Sequence, residues 1–224
     1  MQAVRKIKTF TDRYPLIGPV VWVLSIQYFI VQLVVAIDYI PSYSPQLNTI
    51  SDLGNTVCGT YSSRLVCSPL HNLMNTSFVL LGVTMMSGAL LIYQEFRESR
   101  GSLLGFLCMA IAGIGTILVG LFPENTISAL HVVGAALPFL IGNIGIVILG
   151  SYLSLPRFLR YYSILSGCIA LIALGFFFTN HYGSLGIGGV ERIVAYPQTV
   201  WLIVFGIYIS KNHVARKAEI HRTK

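Results

Sequence analysis

Six stretches of the chain are each long and apolar enough to cross a bilayer, and this pattern leaves almost nothing from which to build anything else. They cover about 16 to 37, 69 to 93, 102 to 121, 127 to 151, 161 to 180 and 190 to 210. A span needs roughly 20 mostly apolar residues, so about 130 of the 224 residues are committed to the membrane. Composition agrees, with 54% hydrophobic residues, 10% charged residues and a mean hydropathy of +0.73, well outside the range of soluble globular domains. The expected fold is all-α: a polytopic membrane protein of six transmembrane helices. It divides into an N-terminal segment 1–15, a transmembrane domain 16–210 with a long loop at 38–68, and a basic tail 211–224.

Basic residues Arg5, Lys6, Lys8 and Arg13 precede the first span, as in a signal peptide. The apolar run is longer than the roughly 7 to 15 residues of a signal core and no A-x-A-like site follows it, so an uncleaved first helix is expected. With both termini in the cytoplasm, every Lys and Arg except Arg64 and Arg192 falls on the cytoplasmic side. This is the positive-inside bias, and it predicts a multi-pass protein of the cell membrane. The net charge of +7 is scattered over short loops without interleaved aromatics, so no nucleic-acid partner is expected. Cys58 and Cys67 lie in the loop assigned outside and are expected to form a disulfide. Their spacing is loose for zinc. Cys108 and Cys168 sit within spans.

The long loop, "DYIPSYSPQLNTISDLGNTVCGTYSSRLVC", is rich in Pro, Ser, Asn and Gly and reads as an ordered loop or short interfacial helix. Ser68 and Pro69 suggest a cap and first turn for the second helix, and Asn125 or Thr126 a start for the fourth. Gly113, Ala135, Gly142 and Gly145 favour close helix packing. Pro138 and Pro197 predict kinks in helices 4 and 6, and Asn143 is expected to join helices by hydrogen bonds. The glycine run "GSLGIGGVERI" follows no strand and lacks G-x-G-x-x-G spacing, so it reads as a turn rather than a phosphate loop.

The polar residues carry the functional expectation. Under this topology Asp38, Asp52, Asn55, His71, Asn75, Glu124, His131, His181, Glu191 and Arg192 all gather at the outer ends of the helices. Ionisable groups at membrane depth are costly and tend to mark sites. His71 and Asn75 share a helix face, and His131 lies at a similar depth on helix 4. Arg192, near a helix N-terminus, opposes the dipole and is expected to pair with Asp52 or a glutamate. Ser51 has no identifiable base beside it in the sequence and is a weak candidate nucleophile.

Several of these stretches, "ISDLGN", "CSPLHNLMN", "LFPEN" followed by "LHVVGA", and "GGVERI" with "YPQTVW", occur in an order that resembles an uncharacterised bacterial and archaeal family of six-helix integral membrane proteins, defined as a domain of unknown function. The resemblance runs from about residue 17 to 210 and carries over Asp52, Gly54, His71, Glu124, His131, Glu191 and Arg192. Ser51 to Gly54 and the Pro123-Glu124 pair are also remotely similar to the damage-regulated autophagy modulator membrane family. Neither resemblance implies a substrate or cofactor.

The leading functional expectation is an extracytoplasmic site for a lipid headgroup or small polar ligand, with metal-assisted hydrolysis as its enzymatic form. There His71, His131 and Asp52 would hold zinc or another divalent metal. Asp52, Glu124 and Glu191 are the candidate catalytic carboxylates. Arg192, Asn55 and Asn75 would bind the ligand, with Arg192 against a phosphate. A transporter relaying cations through Asp52, Glu124 and Glu191, and a non-enzymatic sensor or assembly partner, are the competing classes.

Overall fold

Apolar runs of this length can hide their backbone polar groups in lipid only by coiling into helices, and the computed structural model has six. It describes residues 10–96 and 99–222, with the side chains of 215–222 left aside. Arg5, Lys6, Lys8, Arg97 and Lys224, counted in the charge bias, lie outside the described residues, as do the side chains of Arg216, Lys217 and Arg222. The spans are α1 Ile17–Ile37, α2 His71–Ile92, α3 Arg100–Leu121, α4 Ser128–Tyr152, α5 Arg157–Phe178 and α6 Gly186–Arg222. All six are long and apolar enough to cross a membrane. Apolar side chains also face outward along them, among them Leu33, Ile37, Phe158 and Ile172, each more than 60% exposed. In water such a belt would aggregate; in a bilayer it is the solvated surface.

Each helix packs on its neighbours in sequence, and α1 closes the ring against α6. Small residues permit the tightest contact, between α2 and α3: a Cβ on Gly82 would stand 2.4 Å from the carbonyl oxygen of Gly113. At the end of the bundle nearest the chain termini, the interior is aromatic. The Trp201 and Phe205 rings stack at 4.6 Å, Trp22 meets Trp201 edge-on at 5.5 Å, and Phe106 stacks on Trp22 at 6.0 Å. Trp22 and Trp201 are fully buried, and their indole N–H groups donate to Met85 O and Ser163 Oγ.

The helix ends depart from expectation where local chemistry overrides pattern. α2 begins at His71 behind Leu70, with no side-chain cap, because the Ser68 hydroxyl is committed to Leu53 O at 2.7 Å. α4 begins at Ser128, and Asn125 is used instead to hold Thr56. α3 starts two residues early on a Ser99–Ser102 capping box. α6 continues well past 210 to Arg222, and Pro197 lies inside it. Pro138 does distort α4: its missing N–H breaks the ladder, and Leu137–Gly142 form a π-helical turn. Asn143 donates to Phe139 O at 2.8 Å and to Val194 O at 3.0 Å, so it joins α4 to α6 as expected.

The long loop is not purely helical. A short turn, Ser51–Gly54, is followed by a hairpin of β1 Gly59–Tyr61 and β2 Arg64–Val66, paired antiparallel with Gly59 opposite Val66. Ser62 and Ser63 turn the hairpin with positive φ at both positions, and Cys58–Cys67 form a disulfide across its base.

Candidate functional site

The loop end of the bundle is organised around the stretch from Tyr43 to Asn55, and most of the polar residues singled out in the sequence are spent on holding it. Thr49 and Asp52 form a reciprocal capping box: Asp52 N donates to Thr49 Oγ1 at 3.1 Å, and Thr49 N donates to Asp52 Oδ2 at 2.9 Å. This turns the Asp52 carboxylate inward, where it is fully buried. Arg64 meets it with two parallel bonds, Nε to Oδ2 at 3.0 Å and Nη2 to Oδ1 at 2.9 Å, and Asn48 Nδ2 donates at 3.1 Å. Paired, bidentate geometry of this kind is what lets a charge persist in a buried site.

Glu124, in the turn between α3 and α4, faces the same carboxylate. Asn55 Nδ2 donates to its Oε1 at 3.2 Å, and Tyr61 in the hairpin donates to its carbonyl at 2.8 Å. Burial and the neighbouring Asp52 push the Glu124 carboxyl up to about 9, so it stays protonated and donates to Asp52. For Asp52, burial works to raise the carboxyl, but the hydrogen bonds from Arg64, Glu124 and Asn48 and the charge of Arg64 bring it below its ordinary value. One acid is thus neutral and the other ionised, because two adjacent buried carboxyls cannot both carry charge.

Glu191, on the first turns of α6, accepts a hydrogen bond from Ile50 N. Arg192 does not pair with a carboxylate, contrary to expectation. Its Nη1 donates to the carbonyls of Pro45, Gly188 and Asn48 at 2.8, 2.7 and 3.1 Å, its Nη2 donates to the Tyr43 hydroxyl, and the guanidinium lies 5.4 Å from the Tyr43 ring centre. Loop carbonyls supply the negative partners that the helix N-terminus lacks. The glycines of "GSLGIGG" make this contact possible: Gly186 has φ +68°, and a Cβ on Gly188 would stand 2.1 Å from Asn48 O. They are a site of close approach and not only a turn.

The three expected metal ligands are not brought together. Among the described residues no group of three or more His, Cys, Asp and Glu is placed to hold a metal. His71 turns its Nδ1 to Ser68 O at 2.8 Å, and both oxygens of Asp52 are taken by Arg64. His131 has both ring nitrogens engaged, Nδ1 with Phe122 O at 2.9 Å and Nε2 with Ser51 Oγ at 3.0 Å. Asn75 holds the turn instead of facing a ligand, donating to Gly54 O at 2.8 Å; a Cβ on Gly54 would meet its Oδ1. Asp38 and His181 are exposed.

Beside this network lies a cavity of about 1080 Å³. Glu124, His131 and Glu191 line it, whereas Asp52, Asn55, His71, Asn75 and Arg192 do not. Its polar wall also includes Arg64 and Ser51, neither of which the sequence reading placed in the site. Two signals pointed to them: the "TISD" capping-box pattern, and the position of Arg64 as the one Lys or Arg of the long loop. Another wall is apolar, with Val132, Ala136 and Phe139 of α4 beside Phe177 and Phe178 at the end of α5, where the Phe139 and Phe177 rings meet edge-on at 6.2 Å. The opening exists because Ser128–Ala136 pack on α3, and α4 meets α5 and α6 chiefly from the π-helical turn onward.

No curated protein and no solved structure matches the chain. A family of proteins described as of unknown function, DUF998, matches residues 17–208, which takes in all of α1 to α5, the long loop and the first two thirds of α6. The chain therefore belongs to the DUF998 family.

Proposed function

We propose that this multi-pass membrane protein binds an amphiphilic lipid, with the headgroup in the loop-end cavity and an acyl chain in the crevice between α4 and α5. The carrying observation is the pairing of two kinds of wall within one cavity: Arg64, Ser51, Glu124 and His131 on one, and Val132, Ala136 and Phe139 of α4 with Phe177 and Phe178 at the end of α5 on the other. Ligand sites are mostly apolar with a few convergent polar groups, and a polar wall joined to an apolar one matches the two parts of a lipid. Arg64 is the cation on the polar wall, and with Nε and Nη2 held by Asp52 it meets a headgroup through Nη1. The charged groups collect at one end of the bundle and not at the midplane, where transport sites usually sit.

In this proposal the cavity faces the extracytoplasmic side. The distribution of Lys and Arg supports this, as does the disulfide beside the cavity, since such bonds persist in oxidising compartments. A membrane-impermeant phosphine added to intact cells should then reduce Cys58–Cys67; protection until the cells are lysed would reverse the orientation.

Lipid binding is tested with the purified protein in nanodiscs transferred to detergent, by counting retained phospholipid with native mass spectrometry. Val132 lines the crevice and is 57% exposed, so Val132→Trp fills the crevice without overpacking the core. Retention is expected to drop by about tenfold, corresponding to about 1.4 kcal/mol of binding. Equal retention by both proteins, or none by either, would exclude this site.

A further inference from the structure

Sequence gives Ser51 no partner, but the fold supplies one from a helix 80 residues away. The capping box at Thr49 sets Ser51 at the head of its turn, facing the cavity, and its Oγ lies 3.0 Å from Nε2 of His131 in α4. On the far side of the ring, Nδ1 lies 2.9 Å from the carbonyl oxygen of Phe122 at the end of α3. A carbonyl can only accept, so this contact assigns the proton to Nδ1 and leaves the Nε2 lone pair for the Ser51 hydroxyl. A hydroxyl, a base within hydrogen-bond reach and a fixed group behind the base are the three parts of an activated nucleophile. A purely structural hydrogen bond between loop and helix has no need of a cavity beside it, yet both residues line the 1080 Å³ space.

We propose that Ser51 and His131 are a nucleophile and its general base, and that the protein cleaves or transfers the acyl group of a long-chain ester. The proposal rests on the lipid-binding reading and extends it. Ser51 Oγ attacks the ester carbonyl carbon while its proton passes to His131 Nε2. The tetrahedral adduct collapses, the bond from carbon to the alcohol oxygen breaks, and His131 returns the proton to that oxygen. Water, or a second alcohol, then gives a proton to Nε2 and attacks the acyl-serine carbonyl. The second adduct collapses, the bond from carbon to Ser51 Oγ breaks, His131 returns the proton to Oγ, and the acid or new ester leaves; the cycle consumes no redox equivalent. Ser51 is bonded to His131, the residue before Val132 of the apolar wall, so an ester whose acyl chain lies between α4 and α5 has its carbonyl beside Ser51. On the same wall Arg64 spends Nε and Nη2 on Asp52, which leaves Nη1 as the donor assigned to the developing oxyanion.

The test is an alkyl fluorophosphonate, which transfers its phosphonyl group to an activated serine with loss of fluoride. The full-length protein in phospholipid nanodiscs is treated and the modified peptide identified by mass spectrometry. Modification at Ser51 is expected, lost in Ser51→Ala and slowed about 100-fold or more in His131→Gln. Ser128→Ala, which removes another hydroxyl of the cavity lining, should label at the wild-type rate. An unchanged thermal midpoint for Ser51→Ala separates lost chemistry from lost fold. If Ser51 stays unmodified while phospholipid is retained, the nucleophile is wrong and lipid binding stands. If neither occurs, both proposals fall.

Discussion

The two ends of this helical ring solve the same packing problem with opposite materials. Near the chain termini the interior is filled by Trp22, Phe106, Trp201 and Phe205, rings in direct contact with fully buried indoles. Near the long loop the same helices diverge, and the interior is a hydrogen-bonded lattice of Asp52, Arg64, Glu124, Asn55 and Arg192 beside an open cavity. Dispersion is gained by close contact and is lost wherever a gap opens, so only the aromatic end can contribute fully to holding the bundle. The loop end is held by directional bonds that leave space between them. A binding cavity can sit there because the other end does not need the same volume filled.

The sharpest way to break this comparison is to remove an aromatic. Trp201→Ala deletes a ring that touches Trp22 and Phe205 and donates to Ser163 Oγ. A Trp→Ala change in a packed interior costs about 3–5 kcal/mol. Lipid tails are as apolar as the lost ring, so the penalty is one of contact and cavity and not of transfer from water. Thermal unfolding in detergent should fall sharply, with phospholipid retention per folded molecule unchanged. A small shift would mean that the aromatic end is not the anchor.

The six spans were legible because apolar length is a property of the chain read in one dimension, and every expected span corresponds to an observed helix. Their ends were less legible, because capping depends on partners. Ser68 has the composition of a cap but bonds to Leu53 O across the loop. The hairpin escaped notice because its two-residue turn is Ser62–Ser63, both at positive φ, where Asn-Gly or Asp-Gly would be the recognisable signal. In the site, the gathering of Asp52, Glu124, Glu191 and His131 at one end followed from helix register. The pairings did not. Arg64 and Arg192 are both cations at the loop end, and only the disulfide-closed hairpin decides that Arg64 reaches Asp52. Ser51 and His131 meet because two unrelated elements end at the same depth, a relation no local pattern carries.

A gentler perturbation sharpens the comparison from the loop end. Folded, Glu124 keeps its proton up to about pH 9; unfolded, it loses it near its ordinary value of 4.5. Between those limits the unfolded chain binds fewer protons, so stability falls as pH rises. The contribution is complete below about 4.5, declines steadily toward 9 and is level beyond. Asp52 acts in the opposite sense, its held-down carboxyl giving stability that disappears as pH falls through and below its ordinary value of 3.8. Glu124→Gln replaces a neutral acid by a neutral amide, whose N–H can still donate to Asp52 and whose oxygen can still accept from Asn55. The variant should match the wild type near pH 5 and be more stable at pH 8, with the slope between them flattened. Thermal midpoints in detergent across pH 5 to 8 measure both. If the wild type is level over that range, Glu124 is not the proton holder of the pair. If the variant keeps the wild-type slope, another group is responsible. Trp201→Ala should lower the midpoint at every pH without changing the slope, because an indole does not titrate.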